Sequence, residues 1–291
     1  MRVPRSPACS VTRVTWLTLI KHPTDHQINP GRPQNLPVET MEPQVRKILN
    51  LAGAGVVATL LIFQRAMMER YGHFWGSAPH ETILRYYQMM YASSGLFNLR
   101  WLGIPIVQNP NDAWMTQEII SETKPDFIVE TGTAQGGSAV VWAMIQREVT
   151  PDGRVITIDI EDMKRRQPIL QSLLNRIDFI IGSSTDPGIV EAIRNRVAGK
   201  RVMVILDSLH TMAHVANELE SYSPMVNPGS YLIVQDTALN GHPVYTVQHP
   251  GPGPWEAVDE FLASHPQFQV DKSREKLVFT MHPNGYLRRI G

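Results

Sequence analysis

Two aspartates each close a short run of apolar, largely β-branched residues: Asp207 ends RVMVILD (201–207) and Asp236 ends SYLIVQD (230–236). If these runs are neighbouring parallel strands, their carboxyl ends share one edge of the sheet and the two carboxylates converge there. With the amide of Gln235 beside them, Asp207, Gln235 and Asp236 make an oxygen-rich site for a hard cation such as Mg2+. The same aspartates could instead cap helices. His210 and His214 follow Asp207, but HTMAH lacks the glutamate of HExxH, so a zinc protease site is not expected. His210 is placed to support the site or touch a substrate; His214 serves as readily as a structural helix residue.

A second constellation lies upstream, where FIVET (127–131) runs into ETGTAQGGS (130–138). Glycines at a strand-to-helix turn let the backbone approach a ligand, and the helix N-terminus that follows favours an anionic group. The spacing of Gly132, Gly136 and Gly137 is G-x-x-x-G-G, not the G-x-G-x-x-G of a dinucleotide fold, and a plain tight turn would read the same way. Asp159 ends the next strand, where a carboxylate can accept both hydroxyls of a ribose. An acid before the glycines, Glu130, and an acid ending the next strand suggest a nucleoside carrying an amino-acid tail. That pattern favours S-adenosylmethionine over a nicotinamide dinucleotide, with Glu130 near the ammonium group, directly or through water. The next strand ends in GSSTD (182–186), whose small hydroxyl residues suit an adenine edge or, equally, a helix N-cap.

The elements that must hold these residues alternate. FIVET (127–131), RVITIDI (154–160), RIDFIIG (176–182), RVMVILD (201–207) and SYLIVQD (230–236) are short and apolar throughout, as strands covered on both faces are. Helical stretches separate them, from about Gly136, after Pro187 and from Thr211 to Tyr222, so the fold class is α/β with a doubly wound, mostly parallel sheet. HETILRYYQMMYAS (80–93) and DAWMTQEIISET (112–123) have helical spacing, the latter with Asn111 or Asp112 as N-cap and a stop at Pro125. A helix near 255–263 precedes FQVD (268–271) and KLVFTMH (276–282), read as a terminal antiparallel hairpin around KSRE.

The rest of the chain bounds the partners. Lys plus Arg equals Asp plus Glu at 27 each in 291 residues, which excludes nucleic-acid binding through bulk charge. The single cysteine, Cys9, allows no intramolecular disulfide and no cysteine zinc site. Residues 1–40 read as a disordered, Pro-rich leader, with Met41 as an alternative start. Within an apolar helix over 41–70, the charge-free stretch ILNLAGAGVVATLLIF (48–63) would reach ~24 Å, short of a ~30 Å hydrocarbon core. It is either buried or oligomer-forming, in line with an expected homo-oligomer, or it lies on a membrane from the cytoplasmic side.

In order, ETGTAQGGS, ITIDI, ILDSLHTMAHVANELE, GSYLIVQDTALNGHPV and GPGPWEAVDEFL resemble the cephalosporin hydroxylase/rhamnosyl O-methyltransferase family, over about residues 80–291. The resemblance implies a class I S-adenosylmethionine-dependent methyltransferase domain over 71–291, with a helical cap at its start. It implies cofactor binding by Glu130, Gly132, Thr133, Gly136, Gly137, Ser138, Asp159 and Ser183. It further implies a divalent metal at Asp207, position 235 and Asp236, where Gln235 replaces the family's usual Glu and removes one charge. The expected reaction is O-methylation of a hydroxyl on a sugar, glycolipid or other natural product, with Asp207, His210 and Asp236 as the catalytic group. Two alternatives stay open: a non-catalytic cofactor-binding subunit, suggested by Gln235, and a nicotinamide oxidoreductase, which shares Asp159 but lacks the glycine spacing. The acceptor pocket is expected around 71–108 and 239–254, with Trp255 and Phe261 in the core and the enzyme in the cytoplasm or at its membrane surface.

Overall fold

A computed structural model describes residues 85–87, 89–90, 95–162, 171–242 and 251–291. The leader, the apolar stretch 48–63, most of helix 80–93 and half of the loop 239–254 lie outside the described residues. A short hairpin, β1 (Arg100–Trp101) and β2 (Ile104–Pro105), leads into α1 (Pro110–Thr123). The main body then alternates β3 (Phe127–Thr131), α2 (Gly137–Val149), β4 (Arg154–Asp159), α3 (Gln171–Leu174), β5 (Ile177–Ile181), α4 (Pro187–Val197), β6 (Val202–Leu206), α5 (Met212–Tyr222) and β7 (Tyr231–Val234). The chain closes with α6 (Pro254–Ser264), β8 (Phe268–Val270) and β9 (Tyr286–Arg289).

The seven-stranded sheet has the order β5-β4-β3-β6-β7-β9-β8, parallel from β5 to β7 and antiparallel through β9 and β8. Strand side chains alternate faces, so neighbours in β3 enter different cores. Ile128, paired with Val155 and Met203, packs under α1 and α2 with Ile119, Ile120 and Trp142. Val129, paired with Ile156 and Val204, packs under α4, α5 and α6 with Ile193, Leu219 and Phe261. Each such aliphatic side chain contributes roughly 1.5–3 kcal/mol when fully buried, as an upper estimate. Coverage of both faces explains why the parallel strands read as unbroken apolar runs. Phe261 is core as expected, whereas Trp255 is only half-buried and stacks on His242 at 4.6 Å.

Two expectations are corrected. The N-cap of α1 is Asn109, whose Oδ1 accepts from the Asn111 amide at 3.1 Å, with Pro110 at the first helical position. Asp112 is instead buried and accepts from the Met281 amide at 2.8 Å and the Tyr286 hydroxyl at 2.9 Å. That capture is part of the second correction. Residues 276–282 form no strand; the partner of β8 is β9, and KSRE is a 3-10 turn started by Asp271, whose Oδ1 accepts from Ser273 N. The reason is Gly285, where a Cβ would lie 2.1 Å from the Val234 carbonyl oxygen. Only a residue without a side chain can bring the returning chain onto β7 there, so pairing begins at Tyr286. Among the described residues, no helix is long and apolar enough to cross a membrane.

Candidate active site

The strand order reverses at β3, with β4 on one side and β6 on the other, and a crevice opens beyond the carboxyl ends at such a point. Here it is a cavity of about 530 Å3 whose walls include Gly132, Asp159, Ser183, Asp207 and His214. Gly132 has φ +88°, and a Cβ on it would stand 1.8 Å from the Asp207 carbonyl oxygen. The turns after β3 and β6 therefore touch, which only glycine permits. Gly136 begins α2 in the left-handed region at φ +80°. Gly137 does not line the cavity; its missing Cβ makes room for the Pro105 carbonyl, 2.2 Å away.

Asp159 lies on the cavity wall, with Oδ2 accepting from Ala134 N at 2.9 Å and Oδ1 from Glu161 N at 3.0 Å. These amides fix the carboxylate while leaving each oxygen capacity for another donor. Glu130 is one layer deeper. Its oxygens accept from Trp142 Nε1 at 2.9 Å and Thr157 Oγ1 at 2.7 Å, and Thr157 in turn meets Thr133 Oγ1 at 2.7 Å. Burial pushes the Glu130 carboxyl up to about 7, against the hydrogen bonds from Thr157, Ser138 and Trp142. Thr133 and Ser138 are thus buried beside Glu130, and none of the three is on the cavity wall. The cap of α4 is Asp186, whose Oδ1 accepts from Ile189 N at 3.0 Å. That leaves Ser183 on the wall, bonded to Thr185 at 2.9 Å, and Ser184 Oγ against His214 Nε2 at 3.2 Å.

Along the same edge, Asp207, His210 and Asp236 each offer a ligand atom within 4.8 Å of the others. His210 Nε2 is 3.2 Å from Asp236 Oδ2. The Asp207 carboxyl is held well above the usual carboxylate range, chiefly by burial and then by the negative Asp236, Glu130 and Glu218. Such crowding of carboxylates around an imidazole matches the needs of a divalent cation, whose charge would relieve it. The donors therefore fit such an ion, and Gly132 and Asp159 fit a nucleoside cofactor.

Gln235 is placed differently from its two acidic neighbours. It is buried against Gln108, whose Nε2 donates to Gln235 Oε1 at 2.6 Å and to Asp207 Oδ2 at 3.0 Å. Turning the Gln235 amide over sets its own nitrogen 2.8 Å from Asp207 Oδ2. In either arrangement a carboxamide N–H serves Asp207, and Gln235 is paired with Gln108 beside the cluster. Gln108 is a residue that motif reading does not find. It stands just ahead of the Asn109-Pro110 helix start, 99 positions from Asp207, and nothing local marks it.

The model of the family described as Rhamnosyl O-methyltransferase/CmcI matches residues 94–290. The rhamnosyl O-methyltransferase of Mycobacterium tuberculosis (strain ATCC 25618 / H37Rv) is 36% identical over 226 residues, covering 72% of this chain and 86% of that protein. Its counterpart from Mycobacterium leprae (strain TN) is 35% identical over 221 residues, covering 72% and 92%. A solved structure of CmcI with Mg and SAM superposes with a TM-score of 0.52 at 21% identity, covering 67% of this chain and 78% of that one, a likeness of fold. On the match over 94–290 and the 36% identity, the chain belongs to the rhamnosyl O-methyltransferase/CmcI family and is an S-adenosylmethionine-dependent O-methyltransferase.

Proposed function

We propose that this enzyme methylates a hydroxyl of a sugar, with a divalent cation, Mg2+ in the first instance, held at Asp207 and Asp236. The observation that carries the reading is the meeting of Asp207, His210 and Asp236, of which Asp207 also walls the crevice. The sugar comes from the relatives, which are named rhamnosyl O-methyltransferases at 35–36% identity.

When bound, S-adenosylmethionine supplies an electrophilic sulfonium methyl, and a divalent cation lowers the pKa of a hydroxyl beside it. Asp159 accepts the ribose hydroxyls, and the bare backbone of Gly132 lets the cofactor lie close. Exposed Ile160 and Leu209 supply apolar faces for the base, with Ser183 at its edge. Glu130, beneath the wall, biases the amino-acid end toward an ammonium. His210 receives the proton of the acceptor hydroxyl, and the imidazolium faces Asp236 across 3.2 Å, which stabilises it. The methyl that the acceptor oxygen gains in place of that proton would come from the sulfonium of the bound cofactor, with rate gained from positioning.

A lipid-borne sugar is the finer form of this reading, supported by the charge-free stretch 48–63, which would keep the domain at a membrane surface. The test is transfer of labelled methyl to rhamnosyl glycosides, with and without chelator, beside flotation with anionic vesicles. Transfer that needs the divalent cation supports the sugar reading. S-Adenosylhomocysteine binding with no transfer to any glycoside overturns it, and failure to float overturns only the membrane part.

A further inference from the structure

We propose that His282 is a positioning residue that locks Asp236 in the conformation in which it faces Asp207 and His210, an inference that rests on the cation-binding reading of Asp236. Asp236 has φ +58°, a left-handed conformation that a non-glycine residue holds only when its surroundings impose it. Its backbone N–H is out of the β6 ladder, which ends with the Gln235 amide donating to the Leu206 carbonyl at 2.9 Å. That N–H donates instead to His282 Nδ1 at 2.9 Å. The bond is a direct side-chain constraint on the left-handed residue itself.

The imidazole is itself held from the far side of the sheet edge. It is 2% exposed, its backbone N donates to Thr280 Oγ1 at 2.9 Å, and its carbonyl accepts from Gly285 N at 2.8 Å. Because Nδ1 accepts, the neutral ring must carry its hydrogen on Nε2. Nε2 has no hydrogen-bond partner among the described residues and points at the buried Asp112 Oδ2, 3.8 Å away. Asp112 also draws in the Met281 amide and the Tyr286 hydroxyl. The Asp236 amide thus fixes the tautomer, and the Nε2–H that it leaves faces a buried carboxylate across 3.8 Å, a favourable electrostatic arrangement. The same segment holds the following residues, with Thr237 Oγ1 donating to the Pro283 carbonyl at 2.6 Å and Ala238 N to the Met281 carbonyl at 3.0 Å.

A structural filler and a positioning residue predict opposite rankings of two variants. His282→Asn keeps an acceptor where Nδ1 stands; His282→Gln keeps more of the ring's volume and its reach toward Asp112 but loses that acceptor. The probe is Mn2+ binding to the full chain, read by electron paramagnetic resonance, with S-adenosylhomocysteine affinity and thermal melting alongside. We expect His282→Asn within about threefold of the parent for Mn2+ and His282→Gln at least tenfold weaker, with S-adenosylhomocysteine affinity within about twofold for both. His282→Gln binding Mn2+ as well as or better than His282→Asn overturns the inference. If His282→Gln does not fold, the decision falls to His282→Asn, which must bind like the parent and not like Asp236→Asn. Asp236→Asn is the reference: if it too leaves Mn2+ binding intact, the cation reading itself fails, whereas its loss beside intact binding in His282→Gln removes only the role of His282.

Discussion

The two ends of the sheet edge are built differently. On the β3–β4–β5 side the cavity residues are set by adjacent strand-turn-helix units: Gly132 by the turn into α2, Asp159 by the amides of Glu161 in its own turn and Ala134 in the neighbouring one, Ser183 by a turn that Asp186 closes. On the β6–β7 side the acidic groups depend on distant chain. Asp207 leans on Gln108, 99 positions away, and Asp236 on His282, 46 away. A cofactor shared by many enzymes can be held by repeated local geometry; a cation and acceptor site needs charges balanced by whatever elements pass nearby.

The two sides of the sheet edge touch at Gly132. Gly132→Ala puts a Cβ 1.8 Å from the Asp207 carbonyl oxygen at a φ of +88°. We expect S-adenosylhomocysteine binding to fall beyond detection by calorimetry and stability to drop by roughly 3–5 kcal/mol in urea titration. Parent-like binding would mean that the two turns separate freely and are not one site.

The next largest effects test the β6–β7 side alone. Asp236→Asn is expected to lower cation-dependent turnover by about a hundredfold or more, since a formal charge leaves a two-carboxylate cluster. Gln235→Glu should separate folding from metal. A carboxylate 2.8 Å from Asp207 Oδ2 adds like charge to an already crowded group, so in chelator the variant should melt lower than the parent. Saturating Mg2+ should restore the melt and tighten ion binding. A Gln235→Glu protein equally stable with and without the ion would show that position 235 does not sense it.

Glu130 gives the β3 side its own signature in pH. Its folded-state pKa of about 7 lies above the unfolded value of 4.5, so burial penalises the ionised form. The stability that this group leaves intact is fully present below the unfolded pKa and is lost as pH rises from about 4.5 to 7, by up to roughly 3 kcal/mol. Glu130→Gln should remove that slope, so the two proteins' urea midpoints converge at pH 4.5 and separate by pH 7.5 in favour of the variant. Parallel curves across this range would mean that Glu130 is not buried in the protonated form.

Legibility in the sequence follows the same division. The five parallel strands were readable to within two residues because the runs are mostly apolar and, at the sheet's centre, covered on both faces. The acids Glu130, Asp159, Asp207 and Asp236 were readable because each sits at or just after such a run. The tail was not, because β9 is placed by a backbone contact at Gly285, and KLVFTMH has strand-like composition without a strand's partner. Gln108 and His282 were invisible for a related reason: their partners are set by tertiary contact, with no periodicity in the intervening chain. The cap of α1 was misplaced because Asn109, Asn111 and Asp112 are all good capping types, and the choice fell to Pro110, which is suited to the first helical position.

The smallest expected effect settles what GSSTD is for. Sequence alone allowed the cluster to cap a helix or to meet an adenine edge, and in the structure the cap and the cavity face fall to different residues. Asp186 Oδ1 accepts from Ile189 N at 3.0 Å with Pro187 at the first helical position, while Ser183 faces the cavity. Asp186→Ala removes a capping bond at an exposed helix start, so it should cost about 1 kcal/mol of stability and leave S-adenosylhomocysteine affinity within error. Ser183→Ala removes a hydroxyl from the wall, with its half-exposed 2.9 Å and 3.3 Å bonds to Thr185 Oγ1 and N, so it should shift the melt little and weaken S-adenosylhomocysteine binding several-fold. Calorimetry and thermal melting on both variants read the two effects separately. If Asp186→Ala weakens the nucleoside while Ser183→Ala does not, the base lies against the cap of α4, and the local, self-contained picture of the β3–β5 side has to be redrawn around that helix.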